Sequence, residues 1–362
     1  MPAPHVIAPG DTHVPTVHVV LPGDIDDPAA PSGGNGYDRR ICAGLAAAGW
    51  SVREYAVPGG WPQPSPAEHA ALAEVLAGLP DGAPVLVDGL VASVVPDALT
   101  AHAGRLRLVP LVHLPRDDDA EARALAAATA VVATSAWTRD RLLHRYALPA
   151  DRVHVAAPGA DPAPSAPGSP GGSALLCVAA VAAHKGHDVL VEALTAVADQ
   201  NWTLTCAGPL HRDPPFVDRL RARLAAHRLA DRVRLTGPLT GDRLAAAYHA
   251  ADLLVHPSRG ETYGMVVTEA LARGVPVLAS AVGGLPDALG HAPDGVRPGL
   301  LVPSEDPQAL AEALRHWLDD ARLRARLREA ALRRRDTLDD WTTTTTRITT
   351  ALKEALASCV SE

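Results

Sequence analysis

Two doubly wound α/β domains, each built on a parallel sheet, are what this sequence predicts, and three observations carry the prediction. Short β-branched or Leu-rich runs alternate with Ala-rich helical stretches from end to end, the pattern of right-handed βαβ crossovers around a sheet covered on both faces. The alternation breaks once, in the Pro/Gly-dense run 157–173, where neither helix nor strand survives. The chain is 362 residues long and 47% apolar, enough for two cores of ordinary domain size.

In the first domain, expected over 1–156, strands fall at 17–21, 52–57, 85–87, 108–112, 130–133 and 153–156. Helices at 38–48, 66–77, 119–128 and 137–146 lie between them. Beyond the linker 157–173 the second domain, 174–335, repeats the scheme. Its strands are expected at 175–179, 203–206, 233–236, 253–256 and 275–279, with helices at 188–198, 216–228, 242–250 and 265–273. Residues 307–335 form an Arg-rich helical stretch, and 339–357 a last helix, within a 336–362 tail that crosses back to the first domain. Arg322, Arg324, Arg326 and Arg328 stand two apart, which spreads them around a helix as a solvated surface. The Thr run 342–346 is poor helix material. A ligand belongs in the cleft between the domains, at the carboxyl ends of the strands.

Composition narrows the function. The net charge of −8 offers no basic field for nucleic acid. The acidic excess is concentrated in the first 160 residues, which suits a neutral or cationic small-molecule partner better than an anionic lipid. Cys42, Cys177, Cys206 and Cys359 are scattered, without metal spacing, and read as reduced thiols of a cytoplasmic protein. The first thirteen residues lack a signal-peptide pattern, and no apolar run approaches membrane-spanning length. Basic residues are Arg with two exceptions, Lys185 and Lys353, so each lysine invites a question.

The most informative segment runs from His256 through Pro257, Ser258, Arg259, Gly260 and Glu261 to Tyr263, Gly264, Met265 and Glu269. It follows a strand and opens a helix near Gly264, whose free amides would face an anion. Taken alone, Glu261 reads as an N-terminal capping acid and Glu269 as a solvated helix residue. A second segment, Val181-Ala-Ala-His-Lys185-Gly186, places a cation at a helix start. A third, Ser32-Gly33-Gly34-Asn35-Gly36-Tyr37-Asp38, is a glycine loop before a helix. His113 closes the strand 108–112. Asp117, Asp118 and Asp119 begin the next helix and are read as capping and solvated acids rather than metal ligands.

The Glu-x7-Glu spacing, preceded by Pro-Ser and followed by Gly274-Val-Pro-Val and Gly283-Gly-Leu-Pro-Asp287, resembles the retaining GT-B glycosyltransferases of family 4 (glycosyl transferases group 1). The resemblance implies the GT-B architecture: two Rossmann-like domains facing a central cleft, with a C-terminal helical tail. It also implies the site. Glu261 would contact the donor sugar's hydroxyls and Glu269 the nucleotide ribose. The amides around Tyr263, Gly264 and Met265 would lie near diphosphate and sugar, and Lys185 would grip the diphosphate. Gly33, Gly34 and Asn35 would cover the donor, His113 would adjoin the reaction centre, and the turn at Gly237 and Leu239 would meet the base. One position departs: the Arg usually found five residues before the Lys is Ala180 here, so either His184 or Arg259 supplies the missing charge or Lys185 and backbone amides suffice.

The implied reaction is metal-independent transfer of a sugar from a UDP- or GDP-linked donor to an acceptor hydroxyl, with retained configuration and no resident cofactor. With no assured side-chain nucleophile, same-face substitution is the expected route. A sugar-nucleotide epimerase on the same architecture and a non-catalytic nucleotide-sugar-binding protein are the alternatives.

Overall fold

The computed structural model describes residues 14–29 and 31–357; the expectations for the first thirteen residues and for Cys359 lie outside these. Two six-stranded, all-parallel sheets are present. The first contains β1 (Thr16–Pro22), β2 (Ser51–Val57), β3 (Pro84–Asp88), β4 (Arg107–Val112), β5 (Val131–Ala133) and β6 (Val153–Val155), in the order β2-β1-β3-β4-β5-β6. The second contains β7 (Ala174–Val178), β8 (Thr203–Ala207), β9 (Val233–Leu235), β10 (Leu253–His256), β11 (Val277–Ser280) and β12 (Gly299–Val302), ordered β12-β11-β10-β7-β8-β9. In both, the order reverses beside the first strand, which opens a crevice at the carboxyl edge. The loops after β1, β3 and β4 flank that edge in one sheet, and those after β7 and β10 in the other.

Apolar side chains on both faces of each sheet make the cores. Val17, Val19 and Leu21 pack against Ile41 and Leu45 on one face of β1, and Val20 against Leu72, Leu76 and Val85 on the other. In the second sheet Leu175, Cys177 and Val255 meet Leu190, Leu194 and Leu314, while Leu176 and Leu254 meet Val267 and Leu271. Burying both faces is why these strands read as continuous apolar runs.

Three local expectations are corrected. The glycine segment 33–38 is no loop: the helix Gly33–Ala47 starts there, because Ser32 caps it by accepting a hydrogen bond from the Asn35 amide. The stretch 307–335 is two helices, Pro307–Asp319 and Ala321–Arg335. Asp320 interrupts them and caps the second through the Arg322 and Leu323 amides. The edge strand β12 and the short helices Gly89–Ala92, Pro96–His102 and Leu285–Leu289 were not anticipated. The Thr run belongs to the helix Trp341–Ala357, which packs on the first sheet's core through Ile348, Ala351, Leu352 and Ala355. Buried Thr344 donates to the Ala157 carbonyl at 2.8 Å, so tertiary packing offsets the weak helix propensity of threonine. No helix among the described residues is long and apolar enough to cross a membrane.

Candidate functional site

Lys185 ends a single turn of 3-10 helix after β7, and Gly186 follows in the left-handed conformation (φ 69°) to start the helix His187–Ala196. A Cβ at Gly186 would fall 2.0 Å from the Pro257 carbonyl oxygen, so the absence of a side chain is what lets this turn lie against the loop after β10. That contact brings Lys185 to Glu261: the ammonium donates to Oε1 at 2.5 Å. His256, the last residue of β10, is buried, and its Nε2 lies 2.9 Å from the same oxygen. Since a carboxylate only accepts, Nε2 donates, leaving the buried Nδ1 without a partner among the described residues. Burial resists ionisation of Glu261, but the His256 hydrogen bond and the Lys185 charge outweigh it and hold the carboxyl down at about 2. Its second oxygen, Oε2, makes no hydrogen bond among the described residues and is left to accept one. Glu261 is therefore not the capping acid that its position suggested.

Gly264, at φ 95°, precedes the helix Met265–Leu271, which starts at the residue expected from the sequence and ends two residues earlier. Tyr263 reaches across to the Pro158 carbonyl. Glu269 is not a solvated helix residue. It accepts from Tyr248 at 2.7 Å, and burial, opposed by that hydrogen bond, raises its carboxyl above the usual range. Gly237 (φ 75°) and Leu239 lie in the turn after β9, where the Gly237 carbonyl accepts from the Gly208 amide. Gly208 in turn is packed on the backbone of Ala179 and Ala180, so this turn and the Ala180 segment are neighbours.

Neither substitute for the missing Arg is free. Arg259 grips both oxygens of Asp188 at 2.9 Å and also Glu305 at 2.9 Å. Burial and the Lys185 charge pull His184 below its ordinary range, toward neutrality.

On the other wall, Met265 bridges the halves: it packs against the first sheet's core cluster, and a Cβ at Gly33 would stand 3.6 Å from its Sδ. Asn35 is turned away to donate to the Asp24 carbonyl at 3.2 Å, fastening helix Gly33–Ala47 to the loop after β1. His113 does stand at the carboxyl end of β4, and two residues that sequence reasoning did not single out meet it there. Its Nε2 lies 2.8 Å from Asp38 Oδ1 and 3.5 Å from Asp88 Oδ2. Burial lifts Asp38 to about 7, against the lowering effects of an Asp88 hydrogen bond and of Arg39. Burial and the Asp38 charge push Asp88 well above the carboxylate range. Burial lowers His113, against the pull of Asp88. Among the described residues this is the one group of acids and histidines close enough to hold a metal ion. Asp118 caps the helix Asp119–Ala126 and Asp117 pairs with Arg141, as the capping reading of that acidic run requires.

A family model described as Glycosyl transferases group 1 matches residues 167–334. The D-inositol 3-phosphate glycosyltransferases of Corynebacterium glutamicum and Catenulispora acidiphila are 31% and 36% identical, over 60% and 59% of this chain and 55% and 54% of theirs. The chain thus spans about half the length of the curated relatives it matches. Sucrose-phosphate synthase (tll1590) from Thermosynechococcus elongatus superposes with a TM-score of 0.78 at 22% identity, covering 95% of this chain and 100% of that one. Anabaena Alr3699/HepE in complex with UDP-glucose gives 0.72 at 18% identity, covering 93% and 99%. At these identities the structural likeness establishes the fold, which is that of the two-domain GT-B enzymes.

Proposed function

We propose that the protein, whose residues 167–334 match the model of the glycosyl transferases group 1 family, transfers a sugar from a nucleoside diphosphate sugar to an acceptor hydroxyl with retention of configuration. One observation carries the reading: Lys185 and Glu261, a cation and a carboxylate from loops at the carboxyl ends of β7 and β10, are held on each other. The cation suits a diphosphate, while the free Oε2 of an acid held ionised suits sugar hydroxyls. Glu269 takes the ribose, the turn at Gly237 and Leu239 the base, and the backbone from Tyr263 to Met265 the sugar and diphosphate. Gly33 and Gly34 cover the donor, and Asn35 holds that cover in place.

The chemical task is to stabilise the leaving diphosphate and to orient an oxocarbenium-like sugar. Lys185 carries the diphosphate charge without a second cation at position 180. The acceptor oxygen attacks from the face that the diphosphate leaves, and its proton passes to the departing phosphate oxygen. Metal is not required in this scheme. The relatives are named for an inositol 3-phosphate, but the acidic first 160 residues and the buried acids at His113 favour a neutral or cationic acceptor here. A cytoplasmic location accords with the free, buried thiols of Cys42, Cys177 and Cys206.

Thermal-shift titration with UDP-, GDP-, ADP- and TDP-sugars in the presence of a chelator tests the reading, with UDP-glucose the expected first hit. Stabilisation should disappear in Lys185→Ala and Glu261→Ala. If no nucleotide sugar stabilises the wild-type protein, the reading is wrong; if donor alone is converted to an epimer, the epimerase alternative replaces it.

A further inference from the structure

The donor reading uses His113 and leaves its two buried neighbours without a task. Asp38 comes from the second turn of helix Gly33–Ala47, Asp88 is the last residue of β3, and His113 is the first residue past β4. Their oxygens and ring nitrogen lie within 4.8 Å of one another. The acids are only 2% and 3% exposed, and neither is ion-paired to a Lys or Arg among the described residues. Arg39, whose charge reaches Asp38, is bonded to Asp26 and Glu54. Two carboxylates this close and this dry cannot both ionise, so one proton stays.

The hydrogen bonds say where. Asp88 Oδ1 accepts the Leu90 amide at 2.7 Å, which leaves Oδ2 to carry a proton. Asp38 Oδ1 takes the imidazole, and Asp38 Oδ2 is buried with no protein donor satisfying it. A proton on Asp88 is the donor that this oxygen lacks, and such a bond lowers Asp38 while it raises Asp88. Asp38, lifted to about 7 while Asp88 is pushed higher, is the first of the two to ionise, and once ionised it accepts from the Nε2–H of a neutral ring. The ring itself is clamped. A Cβ at Gly34 would sit 3.5 Å from its Cδ2, and Tyr37 meets it edge-on at 5.2 Å between centroids. Nδ1 makes no hydrogen bond among the described residues, and the side chain keeps 15% exposure.

We propose that Asp38 and Asp88 hold one proton between them and act as a positioning dyad that fixes His113 as the neutral Nε2–H tautomer, so that Nδ1 offers a lone pair to a hydroxyl of the bound sugar. The inference rests on the reading of the cleft as a sugar-nucleotide site. A neutral acceptor at this place suits the chemistry, because an imidazolium would add a positive charge beside a sugar that itself becomes cationic.

Nitrogen-15 spectra of the imidazoles in the full chain, with His113 assigned by its loss in His113→Gln, test the tautomer directly. Wild type should show a protonated Nε2 and a bare Nδ1 at pH 8, above the Asp38 value of about 7, and infrared spectra in D2O should show a protonated carboxyl band. Asp88→Asn keeps a donor toward Asp38, so it should abolish the band and retain the tautomer. Asp38→Leu removes the acceptor, so it should mix the tautomers and weaken UDP-glucose about tenfold or more, the direction expected when a histidine loses its tautomer. A doubly protonated ring, an Nδ1–H tautomer or a missing carboxyl band in wild type overturns the proposal. So does a stoichiometric divalent ion on the three residues that a chelator removes. If tautomer and band are as expected but UDP-glucose does not bind wild type, the reading of the cleft has failed and the dyad has not.

Discussion

The two walls of the cleft carry acids in opposite states, Glu261 part-buried on one and Asp38 and Asp88 buried on the other. On the second-sheet wall, Glu261 is held at about 2 by His256 and Lys185 against its burial. On the first-sheet wall, Asp38 rises to about 7 and Asp88 higher, held by each other, the His113 imidazole and the Leu90 amide, with no cation bonded to either among the described residues. Desolvation acts on all three; the partners decide the outcome. A carboxylate beside a cation is ready to accept hydrogen bonds from hydroxyls, whereas two carboxyls beside a histidine keep a proton and spend it on orientation. On the function proposed above, the difference divides the work between a wall that binds charge and a wall that aims a neutral ring.

The strongest way to break this comparison is to remove the one cation that defines it. Lys185→Met leaves Glu261 buried with only His256, so about 2–3 kcal/mol of stability should be lost, a half-buried pair costing less than a fully buried one. Affinity for UDP-glucose should fall about 100-fold. Adding Glu261→Gln to Lys185→Met should restore most of the stability and none of the binding, because the stranded charge is gone while the diphosphate grip is still missing. Calorimetric binding and chemical denaturation of the single and double variants measure both. Recovery of binding in the double variant would show that Lys185 serves Glu261 alone.

The same contrast explains what was legible from sequence. The second wall is written in two contiguous segments, 181–186 and 256–269, where residue spacing is itself the signal; Lys185, Glu261, Tyr263 and Gly264 could be named as candidates from it. Even there the direct Lys185–Glu261 bond was not foreseen, since it depends on Gly186 packing on Pro257. The first wall joins residues 38, 88 and 113, which only the adjacency of β3 and β4 and the seat of helix Gly33–Ala47 bring together. Asp38 looked like a helix start and Asp88 like the end of a strand, so only His113 stood out. The fold was easier, because alternation and the 157–173 break survive local error. What escaped was edge and junction: β12 is four residues with one β-branched side chain, and Asp320 splits a stretch whose composition is uniformly helical.

A second prediction uses pH. A carboxyl raised from 3.8 to about 7 in the folded state destabilises the fold as pH climbs, because the unfolded chain ionises near pH 4 while the folded one still holds its proton. The penalty grows by about 1.4 kcal/mol per pH unit for a single such group and levels off above pH 7. Glu261 has the opposite sign: its stabilisation is complete above its unfolded value of 4.5 and is lost as pH falls toward about 2. Between pH 4.5 and 7 the first wall therefore dominates the contrast. Denaturation of wild type and Asp38→Asn at pH 5, 6, 7 and 8 isolates it: the variant should gain on wild type as pH rises to 7 and hold its lead at 8. An advantage independent of pH would mean that Asp38 is ionised at low pH, as Glu261 is, and the contrast between the walls would be lost.

The smallest effect belongs to Gly34. On the second wall glycine is demanded by backbone: at Gly283, with φ 55°, a Cβ would fall 1.7 Å from the Glu261 carbonyl oxygen. Gly34 is helical, and its nearest neighbours are His113 ring atoms at 3.5 Å and beyond, an ordinary van der Waals separation. Alanine is also worth about 0.5–1 kcal/mol over glycine inside a helix, though less in a first turn. Gly34→Ala should therefore change stability by less than about 1 kcal/mol, upward if at all, and should leave the His113 tautomer as it is. The added methyl would still narrow the approach to the ring, so UDP-glucose affinity should drop a fewfold while Tm holds, and measuring the two together separates cover from scaffold. A large loss of stability would mean that the ring and the helix are pressed together more tightly than these distances allow, and that the first wall is as backbone-limited as the second.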